Sequence, residues 1–137
     1  RHSIWLAERG WRVTLSDVSE VAVTRARENS GAQAERINFK IADASDLQAS
    51  EPFDLILVFF YLQRELFSRI LAALSDNGMI VYKTYTHRQP RLGPGPSHPM
   101  HLLQDSELLR AFSALKVLHY HESISGRGTA ELVARKI

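Results

Sequence analysis

The chain has 137 residues, of which 45% are hydrophobic and 23% are charged, and its formal net charge at pH 7 is +2. This composition predicts a single globular, cytoplasmic domain. It excludes a disordered chain and a membrane helix, and the small net charge does not indicate a nucleic-acid-binding protein. Because the sequence contains no cysteine, disulfides, cysteine zinc sites and cysteine nucleophiles are also excluded.

The first third of the sequence alternates predicted helices and strands. Residues 3–9 carry apolar side chains at helical spacing and are followed by Gly10, a residue type favoured just after a helix. A strand is predicted at 11–16, and Ser19 is then a suitable N-cap for a helix that runs to about residue 29 and ends at Gly31. A second strand is predicted at 37–42, before a polar turn at 43–46.

The middle of the sequence contains the most apolar predicted strand. Residues 55–60 form a continuous apolar run, which predicts a central strand buried on both faces of a parallel sheet. A helix is predicted at 65–74, followed by a turn at 76–78 and another strand at 79–86. Residues 87–100 contain four of the five prolines, so neither a helix nor an interior strand is expected there. This segment is interpreted as a lid or substrate loop, or otherwise as a solvated connector.

The last third predicts a short helix and a hairpin. Asp105 is a suitable N-cap for a helix that extends to Phe112. Residues 115–123 and 129–136 are strand-like and are joined by a short segment containing two glycines, which predicts an antiparallel pair. The whole pattern therefore predicts one three-layer α/β domain whose sheet is mostly parallel.

Two aspartates at the ends of neighbouring predicted strands indicate a ligand with hydroxyl or amino groups, because ligands of open α/β sheets bind beyond the carboxyl ends of the strands. Asp17 can accept hydrogen bonds from two adjacent ribose hydroxyls, and Asp43 with the backbone N–H of Ala44 can bind the edge of an adenine. Val18 and Leu47 are candidate apolar walls for that base. Alternatively, Asp17 balances the dipole of the following helix, Asp43 is an ordinary turn residue, and the apolar pair belongs to the core.

Aromatic and polar side chains follow the predicted central strand, where a reacting group would lie. Phe59 and Phe60 are candidates for this region, although adjacent strand residues face opposite sides and at least one ring is expected to fill the core. Tyr61, Gln63 and Arg64 have polar tips and are candidate substrate-binding residues at the mouth of the site.

Five histidines raise the question of a metal site, but none has a recognised zinc spacing with a third ligand. We therefore expect no metal. His119 and His121 are two residues apart in a predicted strand and are expected on one exposed face. The five residues are His87, His98, His101, His119 and His121.

Six segments carry a family resemblance, and together they cover nearly the whole chain. They are RHSIWLAERG at 1–10, VTLSDVS at 13–19, IADASDL at 41–47, and residues 53–67, 78–86 and 102–112. In these segments the chain resembles class I S-adenosylmethionine-dependent methyltransferases, especially the small bacterial group related to tellurite-resistance methyltransferases. The resemblance implies a Rossmann-like sheet of seven strands in the order 3-2-1-4-5-7-6, with strand 7 antiparallel.

The resemblance also implies S-adenosylmethionine as the cofactor and assigns residues to it. Asp17 would hold the ribose and Val18 would line the adenine. Asp43 and Ala44 would recognise the edge of the adenine, and residues 59–61 would approach the methionine part.

The chain departs from the family at its beginning. The family's first strand and glycine-rich loop would immediately precede Arg1, and that strand would lie between the strands predicted at 12–16 and 55–60. Without it, those two strands would keep unpaired backbone groups, each costing about 1–3 kcal/mol when buried. We therefore expect an upstream segment in the natural protein, so that residues 1–137 form an N-terminally incomplete single domain.

Methyl transfer is an in-line displacement that mainly requires an acceptor atom placed about 3–3.5 Å from the methyl carbon. Little acid–base machinery is needed, although Tyr61, Tyr85 and His87 are candidates to take a proton from a hydroxyl or amine acceptor. The basic loop that carries Arg88 and Arg91 favours an acidic small-molecule substrate.

Two other functions remain open. A nicotinamide-dinucleotide-dependent oxidoreductase also has an aspartate after its second strand, but the second acidic terminus at Asp43 and the C-terminal hairpin favour a methyltransferase. A non-catalytic relative would explain the absent glycine-rich loop, whereas the presence of both Asp17 and Asp43 argues against it.

Overall fold

The computed structural model describes residues 1–46 and 51–137. These residues belong to two compact units, Arg1–Leu47 and Gln48–Ile137, and each unit has its own β-sheet. Both units combine helices with parallel strands, which confirms the predicted α/β class.

The first unit is a two-stranded parallel sheet with two helices. Both helices contact the first strand, and the side chains of Ala7, Val23 and Ile37 are buried. Short 3₁₀ turns at Gly31–Arg36 and Ala44–Asp46 precede and follow the second strand. The elements are α1 (His2–Glu8), β1 (Val13–Asp17), α2 (Glu20–Ser30) and β2 (Ile37–Ile41).

The ends of α1 and α2 follow the capping signals of the sequence. The hydroxyl of Ser19 accepts a hydrogen bond of 3.1 Å from the backbone N–H of Ala22. Gly10 and Gly31 have φ values of +88° and +51°, in the left-handed region that favours glycine after a helix. The predicted positions of both helices are therefore confirmed.

The second unit contains a four-stranded sheet in the order β3-β4-β6-β5. Strands β3 and β4 are parallel, whereas β6 is antiparallel to both β4 and β5. Its elements are β3 (Phe53–Phe59), α3 (Glu65–Ala73), β4 (Leu74–Tyr85), α4 (Gln89–Leu92), α5 (Glu107–Ala111), β5 (Lys116–Ser125) and β6 (Arg127–Arg135). This order, and the pairing of β1 with β2, are the ones that the methyltransferase resemblance implies for the corresponding strands.

An aromatic cluster fills the core of the second unit. The ring of Phe67 on α3 lies 5.9 Å from the ring of Tyr82 on β4 and 5.5 Å from the ring of Phe112. Tyr82 and Phe112 are fully buried, as is Leu132 of β6. Burial of a phenol disfavours its ionised form and raises the pKa of Tyr82.

Strand β3 differs from its prediction. Among the residues that the structure describes it pairs with β4 alone, and within it only Val58 is classed as buried. The strand therefore lies at the edge of this four-stranded sheet, where its apolar side chains are mostly half-buried. A run of apolar residues identified the strand but did not identify its neighbours.

The turn predicted at 76–78 is instead an irregularity inside β4, where the pairing with β3 shifts register. Asn77 adopts a left-handed φ of +65°, and its N–H donates to the carbonyl of Lys136 at 2.7 Å. A Cβ on Gly78 would lie 2.8 Å from the carbonyl oxygen of Ser75, so this position requires glycine.

Two predictions between β4 and β5 are wrong. Residues 87–100 do contain a short helix, α4, because Pro90 occupies its first turn, where no backbone N–H is needed for the helix. Asp105 is not the N-cap of α5. That position belongs to Ser106, in a left-handed conformation with φ of +57°, because the carboxylate of Asp105 bonds to residues of another segment.

Candidate functional site

The carboxyl ends of β1 and β2 bring the two predicted aspartates to one edge of the first unit's sheet. Asp17 ends β1 opposite Ile41, and Asp43 follows β2 by two residues. The backbone N–H of Ala42 donates to the carbonyl of Asp17 at 3.0 Å, which keeps the two chain segments adjacent beyond the strands. Both aspartates are exposed, so this edge presents two acidic groups to solvent.

The carboxylate of Asp17 is oriented by the start of α2. Its Oδ1 accepts a hydrogen bond of 2.8 Å from the backbone N–H of Ser19, the N-cap of that helix. The helix-terminal role that the sequence left open is therefore present. It occupies one of the two carboxylate oxygens, and the second has no partner within residues 1–46.

The apolar residue beside Asp17 does not belong to the core. Val18 is 63% exposed, which is unusual for a valine unless something else covers it. Ala44 is half-buried at the start of a 3₁₀ turn, in which the N–H of Asp46 donates to the carbonyl of Asp43 at 2.9 Å. Leu47, the other candidate wall, lies outside the described residues.

In the second unit, the carboxyl ends of β3 and β4 hold an aromatic pair. Phe60 is 45% exposed, and its ring lies 5.0 Å from the ring of Tyr85, whereas Phe59 is half-buried. Phe60 adopts a φ of +54° while its N–H donates to the carbonyl of Lys83 at 2.7 Å. A left-handed phenylalanine is strained, and such strain is concentrated at functional sites.

Tyr61 and Gln63 form a hydrogen-bonded pair at the same edge. The hydroxyl of Tyr61 donates to Oε1 of Gln63 at 2.6 Å. The backbone carbonyl of Tyr61 accepts a bond of 2.7 Å from the hydroxyl of the buried Tyr82. The bond from the buried Tyr82 therefore attaches the segment that follows β3 to the core, while Tyr61 itself is 39% exposed.

Arg64 is engaged in supporting the chain. Its guanidinium makes two bonds to the carboxylate of Glu107, at 2.7 and 2.9 Å, and donates to the carbonyl of Leu102 at 2.9 Å. Burial alone would raise the pKa of Glu107, but the hydrogen bonds from Arg64 and from the backbone of Gln104, together with the charges of Arg64 and Arg110, outweigh burial and lower the pKa. These contacts favour a structural role for Arg64 over direct substrate binding.

His87 and Arg88 share one partner that the sequence did not reveal. Nε2 of His87 lies 2.8 Å from Oδ1 of Asp105, and Nη2 of Arg88 lies 3.3 and 3.4 Å from its two oxygens. The hydrogen bond from His87, assisted by the charge of Arg88, lowers the pKa of Asp105. Asp105 lies 18 positions after His87 and 17 after Arg88, so no local sequence signal pairs it with either residue.

The proline-rich segment is attached to the sheet by a buried side chain. Gln89 is only 2% exposed, and its Oε1 accepts a bond of 2.8 Å from the N–H of Gly128 on β6. Its Nε2 donates to the carbonyl of Pro94 at 2.9 Å. The segment is therefore anchored at its base, which neither the lid interpretation nor the connector interpretation anticipated.

Metal ligands and membrane helices were also sought in the described part of the chain. Residues 1–46 and 51–137 contain no group of three or more histidine or acidic side chains that could hold a metal ion. His119 instead pairs with Glu131 at 3.0 Å on the exposed side of β5, as the strand prediction implied for its face. Within the same ranges, every helix is too short or too polar to cross a bilayer.

Residues 1–78, more than half of the chain, match the family described as "Methyltransferase domain". No curated protein matches the sequence.

Solved structures with a similar fold include two methyltransferases and the protein TehB. N-methyltransferase NodS from Bradyrhizobium japonicum WM9 is 18% identical, with a TM-score of 0.73 over 91% of this chain and 73% of NodS. TehB from Haemophilus influenzae is 18% identical, with a TM-score of 0.80 over 98% of this chain and 53% of TehB. The third is 1,6-didemethyltoxoflavin-N1-methyltransferase from Burkholderia thailandensis, solved with its namesake compound and S-adenosylhomocysteine. It is 20% identical, with a TM-score of 0.70 over 99% of this chain and 66% of that protein.

These likenesses show the fold, and this chain spans about half of TehB and about three quarters of NodS.

Proposed function

Because this chain belongs to the class I S-adenosylmethionine-dependent methyltransferase family, we propose that it transfers a methyl group from S-adenosylmethionine to a small-molecule acceptor. The observation that carries the proposal is the pair of exposed aspartates at the ends of adjacent parallel strands, with exposed Val18 beside them. Acidic groups and an apolar surface at this edge match the hydroxyls, amino group and flat base of an adenosine.

The first unit supplies the adenosine-binding residues in this proposal. Asp17 accepts from the ribose hydroxyls through the oxygen that Ser19 does not occupy. Val18 covers one side of the adenine, while Asp43 and the N–H of Ala44 bind its edge. Sequestering the exposed valine would remove apolar surface from water, which favours binding.

The family resemblance assigns further residues, which follow strands β3 and β4, to the methionine part and to the acceptor. Phe59 and Phe60 are assigned to the methionine part. Tyr61 and Gln63 present hydroxyl and amide groups for the acceptor, and Arg88 supplies positive charge that favours an acidic molecule.

S-adenosylmethionine supplies an electrophilic methyl group on a positively charged sulfur. The task of the protein is then to hold the acceptor in line with that group and to remove a proton where the acceptor carries one. Tyr61, Tyr85 and His87 are the candidate proton acceptors. Family membership favours this reaction over nicotinamide-dependent hydride transfer.

The test is calorimetric titration of S-adenosylmethionine, S-adenosylhomocysteine and NADH into the protein. Binding of both adenosyl ligands without NADH binding would support the proposal. Binding of neither adenosyl ligand would favour the non-catalytic alternative, and binding of NADH alone would favour the oxidoreductase.

A further inference from the structure

We propose that Asp105 is the positioning residue of His87. It holds the imidazole in the tautomer whose Nδ1 takes the proton from the methyl acceptor during methyl transfer. The inference rests on the proposed function. It deepens that function by choosing one proton acceptor among three candidates and by naming the acceptor class.

The hydrogen bond between His87 and Asp105 decides which ring nitrogen of His87 carries the hydrogen. Nε2 of His87 and Oδ1 of Asp105 are 2.8 Å apart, and an ionised carboxylate can only accept. Nε2 must therefore carry the hydrogen, which leaves the lone pair of a neutral ring on Nδ1. Within residues 1–46 and 51–137, Nδ1 has no bonding partner, and 36% of the side chain is exposed.

Backbone hydrogen bonds hold the two segments that carry His87 and Asp105. Leu103 forms a parallel bridge with Thr86, its N–H donates to the carbonyl of Tyr85 at 3.0 Å, and its carbonyl accepts from His87 N–H at 2.9 Å. His87 and Asp105 follow the bridged residues by one and two positions.

A further bond holds Asp105 from the side of α5. Nη1 of Arg110 donates to the backbone carbonyl of Asp105 at 2.6 Å. Because main-chain bonds hold both segments, the pair exists before any ligand arrives.

Two arginines contact Asp105. Arg88 contacts both oxygens of Asp105 at 3.3 and 3.4 Å, and Arg110 binds its backbone. The charge of Arg88 favours the ionised carboxylate, which is the form that accepts from Nε2–H. The charged groups that contact this pair among the described residues are thus Arg88 and Arg110.

The His87–Asp105 pair lies just beyond the end of β4. His87 lies two residues after Tyr85, whose ring contacts the exposed and strained Phe60 at 5.0 Å. The pair is thus at the carboxyl end of β4, the edge of an α/β sheet at which ligands bind. By contrast, the His119–Glu131 pair joins side chains within strands β5 and β6 and does not follow the carboxyl end of a parallel strand.

Methyl transfer to the acceptor breaks one bond, forms another and releases one proton. As the nucleophilic atom of the acceptor bonds to the methyl carbon, the carbon–sulfur bond breaks and its electron pair stays on sulfur, giving S-adenosylhomocysteine. The proton of the acceptor moves to Nδ1 of His87, and the resulting imidazolium is held by the carboxylate of Asp105. The acceptor class is therefore an amine, a heteroaromatic N–H or a hydroxyl compound, and not a thioether, which has no proton to lose.

The test is long-range ¹H–¹⁵N NMR of the imidazole rings at about pH 8, where a free histidine with a pKa of about 6.5 is neutral. His87 is assigned by the signals lost in His87→Asn. We expect a single Nε2–H tautomer in the wild-type chain and a mixture of tautomers in Asp105→Ala. Glu131→Ala is the matched control, because it removes the carboxylate partner of His119 and should leave the His87 signals unchanged.

The wild-type spectrum alone can overturn the proposal, even where a variant fails to fold. An Nδ1–H tautomer, or a mixture in the wild-type chain, would show that Asp105 does not position the ring. An unchanged His87 tautomer in a folded Asp105→Ala chain would do the same.

A calorimetric measurement separates this inference from the proposed function. Asp105→Ala is expected to keep the affinity for S-adenosylmethionine within about twofold, because Asp105 is assigned to the acceptor side. If the wild-type protein binds no S-adenosylmethionine, the proposed function fails, and the tautomer result still decides the positioning role of Asp105. A tenfold loss of cofactor affinity in folded Asp105→Ala would place Asp105 in cofactor binding and overturn the inference.

Discussion

Gln89 and Gly128 are joined by a buried hydrogen bond that fastens the proline-rich segment to β6. Oε1 of Gln89 lies 2.8 Å from the backbone nitrogen of Gly128, while Nε2 reaches the carbonyl of Pro94 at 2.9 Å. One side chain therefore satisfies two backbone groups that would otherwise be left without partners. The relationship makes two separate predictions, one for each residue.

Replacing Gly128 with alanine should destabilise the protein by about 1–3 kcal/mol, the usual cost of overpacking a filled site. A Cβ at this position would lie 2.6 Å from the backbone nitrogen of Gln89 and 3.0 Å from the carbonyl carbon of Arg88. Urea unfolding measures the effect, with Ser125→Ala on the same hairpin as the control. A Gly128→Ala variant as stable as the wild type would show that the two segments do not approach so closely.

Replacing Gln89 with methionine should cost about 2 kcal/mol, because the side-chain volume is kept while the N–H of Gly128 and the carbonyl of Pro94 lose their partner. Hydrogen exchange of the Gly128 amide should become faster than in the wild type. The exposed Gln104 provides the control, since Gln104→Met removes an amide without burying an unpaired group. Equal exchange rates at Gly128 in the wild type and Gln89→Met would contradict the prediction.

Arg64 should support stability through Glu107. Arg64→Ala removes two bonds to a carboxylate and one to the carbonyl of Leu102. Because the arginine side chain is 41% exposed, solvent screening limits the expected loss to about 1 kcal/mol in the free energy of unfolding at pH 7. Arg69→Ala, on an exposed position of the same helix, should change stability by less than half of that amount.

The Arg64 effect should also depend on pH in a defined direction. The folded-state pKa of Glu107 is lowered from its ordinary value of 4.5, so its ionised form stabilises the fold above that value. This contribution is lost as the pH falls through the lowered folded-state pKa. The difference in unfolding free energy between wild type and Arg64→Ala should therefore shrink as the pH falls below 4.5 and through the lowered folded-state pKa. A difference that stays constant, or grows in acid, would mean that Glu107 is not the partner that matters.

Much of the fold could be predicted because its signals are local. Ser19 and Gly31 mark the limits of α2 by chemistry that acts within one helical turn, and the alternating residues of the C-terminal hairpin need only each other. The aspartates at positions 17 and 43 could be placed at one sheet edge because parallel strands end together.

The missed features depend on contacts between distant residues. Nothing around Asp105 indicates that its partner is His87, and an N-cap assignment is what a local analysis favours for an aspartate before a helix. The short helix at Gln89 has a related explanation: proline breaks a helix interior, but Pro90 lies in the first turn, where it breaks no bond. The half-burial of the β3 side chains likewise depends on which elements pack against them, which an apolar run does not encode.

The sharpest prediction concerns Asp17, because its two oxygens have different roles. Oδ1 accepts from Ser19 N–H at 2.8 Å, so Asp17→Ala removes both a helix-orienting bond and the proposed ribose contact. Asp17→Asn retains a carbonyl oxygen for Ser19 but loses the negative charge. We expect both variants to weaken S-adenosylmethionine binding by about 10- to 100-fold, since a charged hydrogen-bond partner contributes about 1.5–3 kcal/mol. Calorimetry on the protein measures this, and Asp46→Ala, which removes an exposed acid outside the assigned cofactor contacts, is the control. If Asp17→Asn binds as tightly as the wild type while Asp17→Ala loses helix stability, Asp17 serves only the start of α2 and the ribose assignment is wrong.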